Sequence, residues 1–265
     1  MTKNNHIFKS IIVPKSETDL GYYLAGLIEG DGHFSKNQLI ISGHENDYQF
    51  FGSLKYLLRY GEISKYTKGR ALRFVVSSKA GLLRVILLCN GKFVGWHKYN
   101  QLLKHNYDKR FNIFLQPPKD ENLALNNFWF CGFIEADGCF NITIRKSNTS
   151  TTKVRVDLRL TIAQKDNYLL KQIQQKFTTA QIYESKNTKN PHFRITISGY
   201  KRVPTVISYF DKYPLQTCKY AHYRMFRRCF RLMQFKKHFD LKGLQQVKAM
   251  QKILTSVYKK NNANR

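Results

Sequence analysis

Alternating apolar and polar positions mark two long extended stretches in the second half of the chain. In CFNITIRK, Phe140, Ile142 and Ile144 fall on one side of an extended backbone, and polar residues fall on the other. Residues 153–161 alternate in the same way, and a turn-rich SNTSTT lies between the two stretches. The pattern predicts a hairpin with an apolar back that packs on a core and a charged front.

Helical spacing and further strand patterns surround this hairpin. Residues 166–177 have the spacing of an amphipathic helix, and residues 181–198 predict a second hairpin. The predicted order is therefore helix, two strands, helix, two strands, helix. The first half repeats the order in shorter form, with strands at residues 33–42 and 62–77 and helices at residues 46–60, 80–89 and 96–107.

A short motif also occurs once in each half. YYLAGLIEGDGHF at residues 22–34 matches FWFCGFIEADGCF at residues 128–140, so the chain is an internal duplication. Between the copies, QPPKDENLALN carries a Pro-Pro pair and a charged cluster, which is the composition of a linker. We predict a first unit at residues 1–115, a linker at 116–126 and a second unit at 127–265.

Composition narrows the choice of partner. The 265 residues include 45 Lys and Arg against 17 Asp and Glu, a formal net charge of +28, which predicts a nucleic-acid partner. No apolar run approaches the roughly 18 residues of a spanning helix, and no signal-type apolar core is present, so we expect neither membrane insertion nor secretion. The five cysteines are odd in number and form no CxxC pair, which predicts reduced thiols rather than disulfides or a zinc site.

Small residues recur inside each motif at helical spacing. Gly26 and Gly30 lie four apart, as do Gly132 and Ala136, so each motif helix has a face almost without side chains. One such helix alone could simply sit on its own core. Two copies in one chain favour close pairing of the two motif helices.

Each motif also ends in an aspartate. In a parallel helix pair, Asp31 and Asp137 would lie side by side at the negative ends of the helix dipoles, where two carboxylates need a cation. Hard carboxylate oxygens suit Mg²⁺. A single Asp before Gly is also typical of an ordinary helix C-terminal turn, and here too the duplication favours the functional interpretation.

LAGLIEGDG and FCGFIEADG resemble the two motifs of a LAGLIDADG homing endonuclease of the single-chain, double-motif type. The resemblance covers nearly the whole chain in plan, and departs at Phe130, Cys131 and Phe133. It implies an α+β fold of two pseudo-symmetric αββαββα units, with saddle-shaped antiparallel sheets on the DNA major groove and the motif helices paired between the units. It also implies a monomeric, Mg²⁺-dependent endonuclease that makes staggered double-strand breaks in a long DNA site, promotes intron mobility and resides in mitochondria.

The resemblance also assigns roles to individual residues. Asp31 and Asp137 match the acids that bind metal and catalyse cleavage, and the backbone carbonyls of Gly30 and Ala136 would complete the coordination. Lys98 in GWHKYNQLL and Lys219 in QTCKYAHYR resemble lysines that stabilise charge on the scissile phosphate, although a solvated lysine is the simpler alternative in so basic a chain. Gln164 resembles the polar residue that organises the attacking water, and His44 is its expected counterpart in the first half. Glu29 and Glu135 are assigned to the helix interface.

Specificity is expected on the charged hairpin fronts, where donors and acceptors are mixed as base edges require. The alternative is a sheet face that is merely solvated, and the net charge argues against it. The predicted DNA contacts are Ser35, Asn37, Lys65, Arg70 and Arg73 in the first half and Asn141, Thr143, Arg145, Lys153, Arg155, Asp157, Arg159, Thr161 and Arg194 in the second. A further set on one helical face is assigned to phosphates, although a membrane-surface helix has a similar pattern: Arg224, Arg227, Arg228 and Arg231.

Two other functions remain open. The same basic fold could serve as an RNA maturase that assists intron splicing, or as a non-catalytic DNA-binding regulator. Neither would demand both Asp31 and Asp137, and their presence favours cleavage.

Overall fold

A helix begins each half and leads directly into a four-stranded sheet. The structure is a computed structural model that describes residues 14, 16–66, 69–150, 152–178, 180–186 and 190–262, with side chains to residue 255. The first half contains α1 (Glu17–Asp31), β1 (Gly32–Phe34), β2 (Leu39–His44), α2 (Tyr48–Leu58), β3 (Glu62–Lys65), β4 (Ala71–Val76), α3 (Lys79–Cys89), α4 (Trp96–Lys104) and α5 (Tyr107–Phe111). The second half contains α6 (Trp129–Asp137), β5 (Gly138–Lys146), β6 (Val154–Gln164), α7 (Tyr168–Lys176), β7 (Gln181–Ser185), β8 (His192–Ser198), α8 (Val203–Lys212), α9 (Lys219–Gln234) and α10 (Leu241–Asn262).

The two sheets are antiparallel and have the same strand order. The first is β1-β2-β4-β3 and the second is β5-β6-β8-β7. Gly32, which follows the first motif, pairs with Ile41, and Gly138, which follows the second, pairs with Ile162. These pairs therefore define equivalent positions in the two halves. The predicted α+β architecture is confirmed, and solved structures discussed below share it.

The motif helices α1 and α6 lie in direct backbone contact. A Cβ atom built on Gly26 would stand 2.0 Å from the carbonyl oxygen of Trp129, and one built on Gly132 would stand 1.9 Å from that of Tyr23. Only glycine allows so close an approach. The predicted helix pairing is confirmed, and the two contacts are related by the pseudo-symmetry of the duplication.

Helices cover the apolar face of each sheet. Phe74 of β4 stacks on Phe51 of α2, with ring centroids 5.9 Å apart. In the second half Phe140 of β5 contacts Phe210 of α8 and Phe226 of α9 at 5.5 and 5.3 Å. The charged face of each sheet is therefore the one opposite the helices.

The second-half hairpin is the long one that alternation predicts, whereas the first-half hairpin is shorter than predicted. β1 ends at Phe34 because the following Ser-Lys-Asn-Gln offers no apolar side chain to the core. Ser35 and Asn37 consequently lie in the turn between β1 and β2 rather than on a strand. Lys153 also lies in a turn, with φ of 54°, and β6 begins one residue later.

The remaining expectations concern thiols, membrane helices and the linker. All five cysteines are free, and Cys89, Cys131 and Cys229 are buried. Among the described helices, none has the length and apolarity to cross a bilayer.

Within the predicted linker, the Asn122 side chain donates to the carbonyls of Gly91 and Phe93, both at 2.9 Å, so this segment packs against the first half. The division into units stays a prediction.

Candidate functional site

Two carboxylates meet where the paired motif helices end. Asp31 is the last residue of α1 and Asp137 the last of α6. Asp137 Oδ2 lies 2.8 Å from where a Cβ on Gly30 would stand, so this carboxylate reaches the opposite helix. Burial, together with the neighbouring charge of Asp31, raises the pKa of Asp137 to about 7. The site therefore favours a proton or a cation between the two acids.

Both predicted lysines extend to the C-terminal ends of the motif helices. Lys98, near the start of α4, donates from Nζ to the carbonyl of Gly32 at 2.5 Å. Lys219, the first residue of α9, donates to the carbonyls of Ala136 at 2.6 Å and Ile134 at 3.1 Å. The Ala136 carbonyl, predicted as a metal ligand, thus already accepts a hydrogen bond from an ammonium group.

Lys98 is buried beside the acids. Burial lowers its pKa, and the charges of Glu29, Asp137 and Asp31 oppose this decrease. Its ammonium group therefore lies close enough to both aspartates to sense their charge.

Gln164 lies beside one of the two aspartates. At the end of β6, its side-chain amide donates to Asp137 Oδ2 at 2.6 Å. Such a bond fixes the orientation of the carboxylate.

His44 is not the spatial counterpart of Gln164. Gln164 lies two residues after Ile162 and Gly43 two residues after Ile41, so Gly43 is the equivalent position. A Cβ there would stand 2.5 Å from the ring of Phe51, which leaves no room for a side chain. His44 projects from the other face of β2, and its Nδ1 accepts a hydrogen bond from the backbone N–H of Asn46 at 3.2 Å. The two sites therefore differ in their second polar group.

The motif glutamates do more than line the helix interface. Glu29 is buried and accepts hydrogen bonds from the backbone N–H groups of Val94, at 3.1 Å, and Gly95, and from the indole N–H of Trp129 at 2.5 Å. Burial raises its pKa to about 8, and the three hydrogen bonds oppose the increase. Glu29 thereby holds the N-terminus of α4, the helix that carries Lys98.

Glu135 makes the equivalent connection in the second half. It accepts hydrogen bonds from the backbone N–H groups of Gln216 and Thr217, from the Thr217 hydroxyl, and from the Tyr23 hydroxyl at 3.4 Å. Burial raises its pKa to about 7. Sequence reasoning missed this role, and the one available signal was the repetition of an acid two residues before each aspartate.

The front of the second sheet is a charged network centred on one acid. Asp157 forms ion pairs with Arg155 at 3.0 Å, Arg159 at 3.7 Å and Arg145 at 3.8 Å. The register confirms that Asn141, Thr143 and Arg145 share this face, opposite Arg159, Asp157 and Arg155. Further polar residues lie on the same face beside Thr161 and Arg194: Gln181, Tyr183, Thr196 and Ser198. The alternation of side chains along β7 and β8 would have identified them from the sequence.

In the first sheet only some of the residues predicted to contact DNA lie on the charged face. Arg73 lies on the front, opposite Ser42 and Ser64, and its guanidinium stands 3.7 Å from the centre of the Tyr66 ring. Lys65 pairs with Leu72, whose side chain is buried, so the register assigns Lys65 to the apolar side of an edge strand. Arg70 lies before β4 and forms an ion pair with Glu45 at 3.2 Å.

The arginines of α9 lie away from the charged face of the second sheet. Tyr223 and Phe226 pack on Phe140, which belongs to the apolar face of the second sheet. The exposed side of α9 therefore points away from that sheet, and it carries Arg224, Arg228 and Arg231. Arg227 forms an ion pair with Asp211 of α8 at 2.9 Å.

The donor set at the helix ends fits a hard divalent cation. Within the described residues, no group of three or more His, Cys, Asp or Glu side chains converges as a metal cage. The two aspartates supply only oxygen, and the pKa of Asp137 is raised by burial and by the charge of Asp31 although Lys219 and Lys98 lie nearby and oppose the increase. Mg²⁺ suits such a pair, because it commonly binds one or two carboxylates and keeps several waters.

Comparisons with known proteins point to one protein family. A profile of the LAGLIDADG endonuclease family matches residues 130–230. The chain is 36% identical over 240 residues to an uncharacterized cox1 intron-2 37.2 kDa protein of Schizosaccharomyces pombe, covering 89% of this chain and 72% of that one. It is 29% identical to a probable intron-encoded endonuclease 4 of Neurospora crassa, covering 84% of this chain and 42% of the relative.

A solved structure shares the fold. The I-LtrWI LAGLIDADG homing endonuclease bound to target DNA superposes with a TM-score of 0.69, covering 89% of this chain and 97% of that one at 21% identity. Both halves of the duplicated architecture therefore have a counterpart in one known chain.

Proposed function

This chain belongs to the LAGLIDADG endonuclease family, and on that premise we propose that it is a sequence-specific DNA endonuclease that cuts both strands of a long target site with a divalent metal, Mg²⁺ being the expected ion. The observation that carries the proposal is the pair of carboxylates, Asp31 and Asp137, at the adjoining ends of two helices in backbone contact. A DNA-binding regulator would have no use for this unfavourable pair.

The chain's own side chains suggest how cleavage is arranged. Asp31 and Asp137 would hold the cation, which supplies a polarised water and neutralises charge on the phosphate when bound. Gln164 fixes the orientation of the Asp137 carboxylate through a hydrogen bond of 2.6 Å. Lys98 and Lys219 bring positive charge beside the acids, where each can stabilise negative charge that develops on a scissile phosphate.

DNA recognition would use the charged faces of the two sheets. The Asp157 network and Arg73 present donors in fixed directions, which base edges in a major groove require. One chain supplies both sheets and both motif helices, so we propose a monomer. Staggered breaks, intron mobility and a mitochondrial location are part of the same proposal and rest on the family relationship.

The decisive test uses a target selected from a plasmid library in the presence of Mg²⁺. Asp31→Asn and Asp137→Asn should each reduce cutting of at least one strand on the order of a hundredfold or more, while the Kd for the target stays largely unchanged. Asp19→Asn is the matched control, because it removes the same charge from the first turn of α1 and should cut normally. Full activity of either motif variant would refute the assignment.

A second candidate function, binding of intron RNA as a maturase, is favoured by the outer face of α9. Arg224, Arg228 and Arg231 are exposed there on the side away from the second sheet, so DNA on the sheet front would leave them available. Replacing all three by Ala should weaken binding of the host intron RNA about tenfold or more and spare binding of target DNA. Equal losses for RNA and DNA would assign these arginines to the DNA complex instead.

A further inference from the structure

Each active-site lysine follows a backbone N–H group that binds a motif glutamate. Gly95 lies three residues before Lys98 and donates to Glu29, and Gln216 lies three residues before Lys219 and donates to Glu135. The two connections are equivalent under the duplication. The same contact occurs in both halves although the surrounding residues differ. This recurrence suggests that the active site requires the contact.

Each glutamate also accepts a hydrogen bond from the opposite motif helix. Trp129 of α6 donates to Glu29, and Tyr23 of α1 donates to Glu135. Trp129 and Tyr23 hold the same motif position, six residues before the glutamate of their own half. The lysine-bearing helices α4 and α9 are thus each connected to both motif helices. Each binds the glutamate side chain of one motif helix, and that glutamate in turn binds an aromatic side chain of the other.

In each half these hydrogen bonds form a closed path that returns to a residue next to the aspartate. From Glu29 the chain of contacts runs to the N-terminus of α4, then through Lys98 back to the carbonyl of Gly32, directly after Asp31. From Glu135 it runs to the N-terminus of α9 and through Lys219 back to Ala136, directly before Asp137. The glutamate thus connects the start of the lysine-bearing helix to the motif helix that carries the aspartate.

We propose that Glu29 and Glu135 are positioning residues that fix Lys98 and Lys219 beside the two aspartates, and that Trp129 and Tyr23 make this placement depend on closure of the helix pair. The proposal rests on the proposed endonuclease function. It assigns to the buried acids a role through the lysines rather than contact with DNA or metal.

Replacement of Glu by Gln perturbs this arrangement with little change in shape. The amide keeps one acceptor oxygen, but its NH₂ group faces N–H donors that bonded to the carboxylate, so at least one buried donor loses its partner. Glu29→Gln should therefore displace the start of α4 and Glu135→Gln the start of α9. Glu17→Gln is the matched control, because it makes the same substitution at the exposed start of α1, away from both glutamate connections, and weakens only a surface ion pair with Arg84.

Strand-resolved single-turnover cleavage measures the consequence. A Lys98→Met variant first identifies the strand that depends on Lys98. Glu29→Gln should slow the same strand about tenfold to a hundredfold, the effect of leaving a buried hydrogen-bond donor without its partner, and spare the other strand and the Kd. The double variant should lose no more than Lys98→Met alone, because Glu29 acts through Lys98. Glu17→Gln should leave both rates unchanged.

Hydrogen exchange provides a readout independent of cleavage. In the metal-free protein, Glu29→Gln should speed exchange of the amides of Val94 and Gly95 without affecting those of Gln216 and Thr217, and Glu135→Gln should do the reverse. Trp129→Phe removes a donor at 2.5 Å and Tyr23→Phe one at 3.4 Å, so the first should have the larger effect on exchange and on rate.

The outcomes separate the two proposals. Additive losses in the double variant, equal slowing of both strands, or unchanged exchange at residues 94–95 would overturn the positioning role. If wild type cuts no DNA although Glu29→Gln alters exchange as expected, the endonuclease function fails while the structural connection stands.

Discussion

Gly26→Ala is the sharpest test of the helix pair on which the site depends. The added methyl would stand 2.0 Å from the carbonyl oxygen of Trp129 and 2.8 Å from the backbone nitrogen of Phe133. Neither atom can rotate away, so α1 and α6 must separate by about 1 Å or more to restore van der Waals distances. The separation would loosen the buried packing along the whole helix pair.

Two opposing contributions determine how Gly26→Ala changes the free energy of unfolding. Overpacking in a rigid core costs about 3 kcal/mol or slightly more, and Ala in place of Gly in a helix recovers up to ~1 kcal/mol. We therefore expect Gly26→Ala to lower the free energy of unfolding by about 2 kcal/mol. Gly132→Ala should behave alike, because its methyl would stand 1.9 Å from the carbonyl oxygen of Tyr23.

Gly52→Ala in α2 provides the matched control. No atom lies within 4 Å of a Cβ built there, so the change should raise the free energy of unfolding by ~0.5–1 kcal/mol. Denaturant titration compares the two variants, and single-turnover cleavage shows whether Gly26→Ala also slows cutting, as displacement of Asp31 from Asp137 requires. Similar changes in stability for Gly26→Ala and Gly52→Ala would refute the close-contact argument.

The remaining predictions concern recognition and the second polar group. Asp157→Ala frees three arginines and should alter base preference in a profile of single-base target variants, with non-specific affinity unchanged or higher; identical profiles would exclude this strand as a reading surface. Affinity should fall steeply with salt, and Arg73→Ala should relax base preference at one position with little change in the log–log salt slope, whereas a slope lower by about one would make Arg73 a phosphate contact. Gln164→Ala should slow the strand cut at the Asp137 site about tenfold and spare the other, a result that equal slowing of both strands would contradict.

The elements that followed most directly from the sequence are those with strong periodicity. The strands β5 and β6 of the long second-half hairpin, nine and eleven residues long, keep alternation throughout, and burial of one face then fixes their register. In the first half, apolar alternation stops after Phe34, so the strand limits and the placement of Ser35 and Asn37 could not be derived from it. The side of the sheet on which Lys65 lies could not be derived either, because it depends on pairing with Leu72.

The site was predictable only where residues lie within one motif. Asp31 and Asp137 follow from the duplication, since both copies end alike. The glutamate connections join residues 66 and 81 positions apart, from Glu29 to Gly95 and from Glu135 to Gln216, and no local pattern encodes such a contact. For the same reason Gly43, rather than His44, emerged as the counterpart of Gln164 only from the register.

The duplication has preserved backbone and charge more strictly than the polar groups around them. Both halves keep an aspartate, a lysine and a buried glutamate, yet the position that Gln164 occupies in the second half is held by Gly43 in the first. A charge-assisted hydrogen bond contributes about 1.5–3 kcal/mol, which corresponds to roughly tenfold to a hundredfold in rate if it acts in the transition state. Two sites that share a cleavage chemistry but differ in the residue at this strand position, Gln164 in one half and Gly43 in the other, should have different barriers. The two strands should therefore be cut at different rates, and nicked DNA should precede the double-strand break.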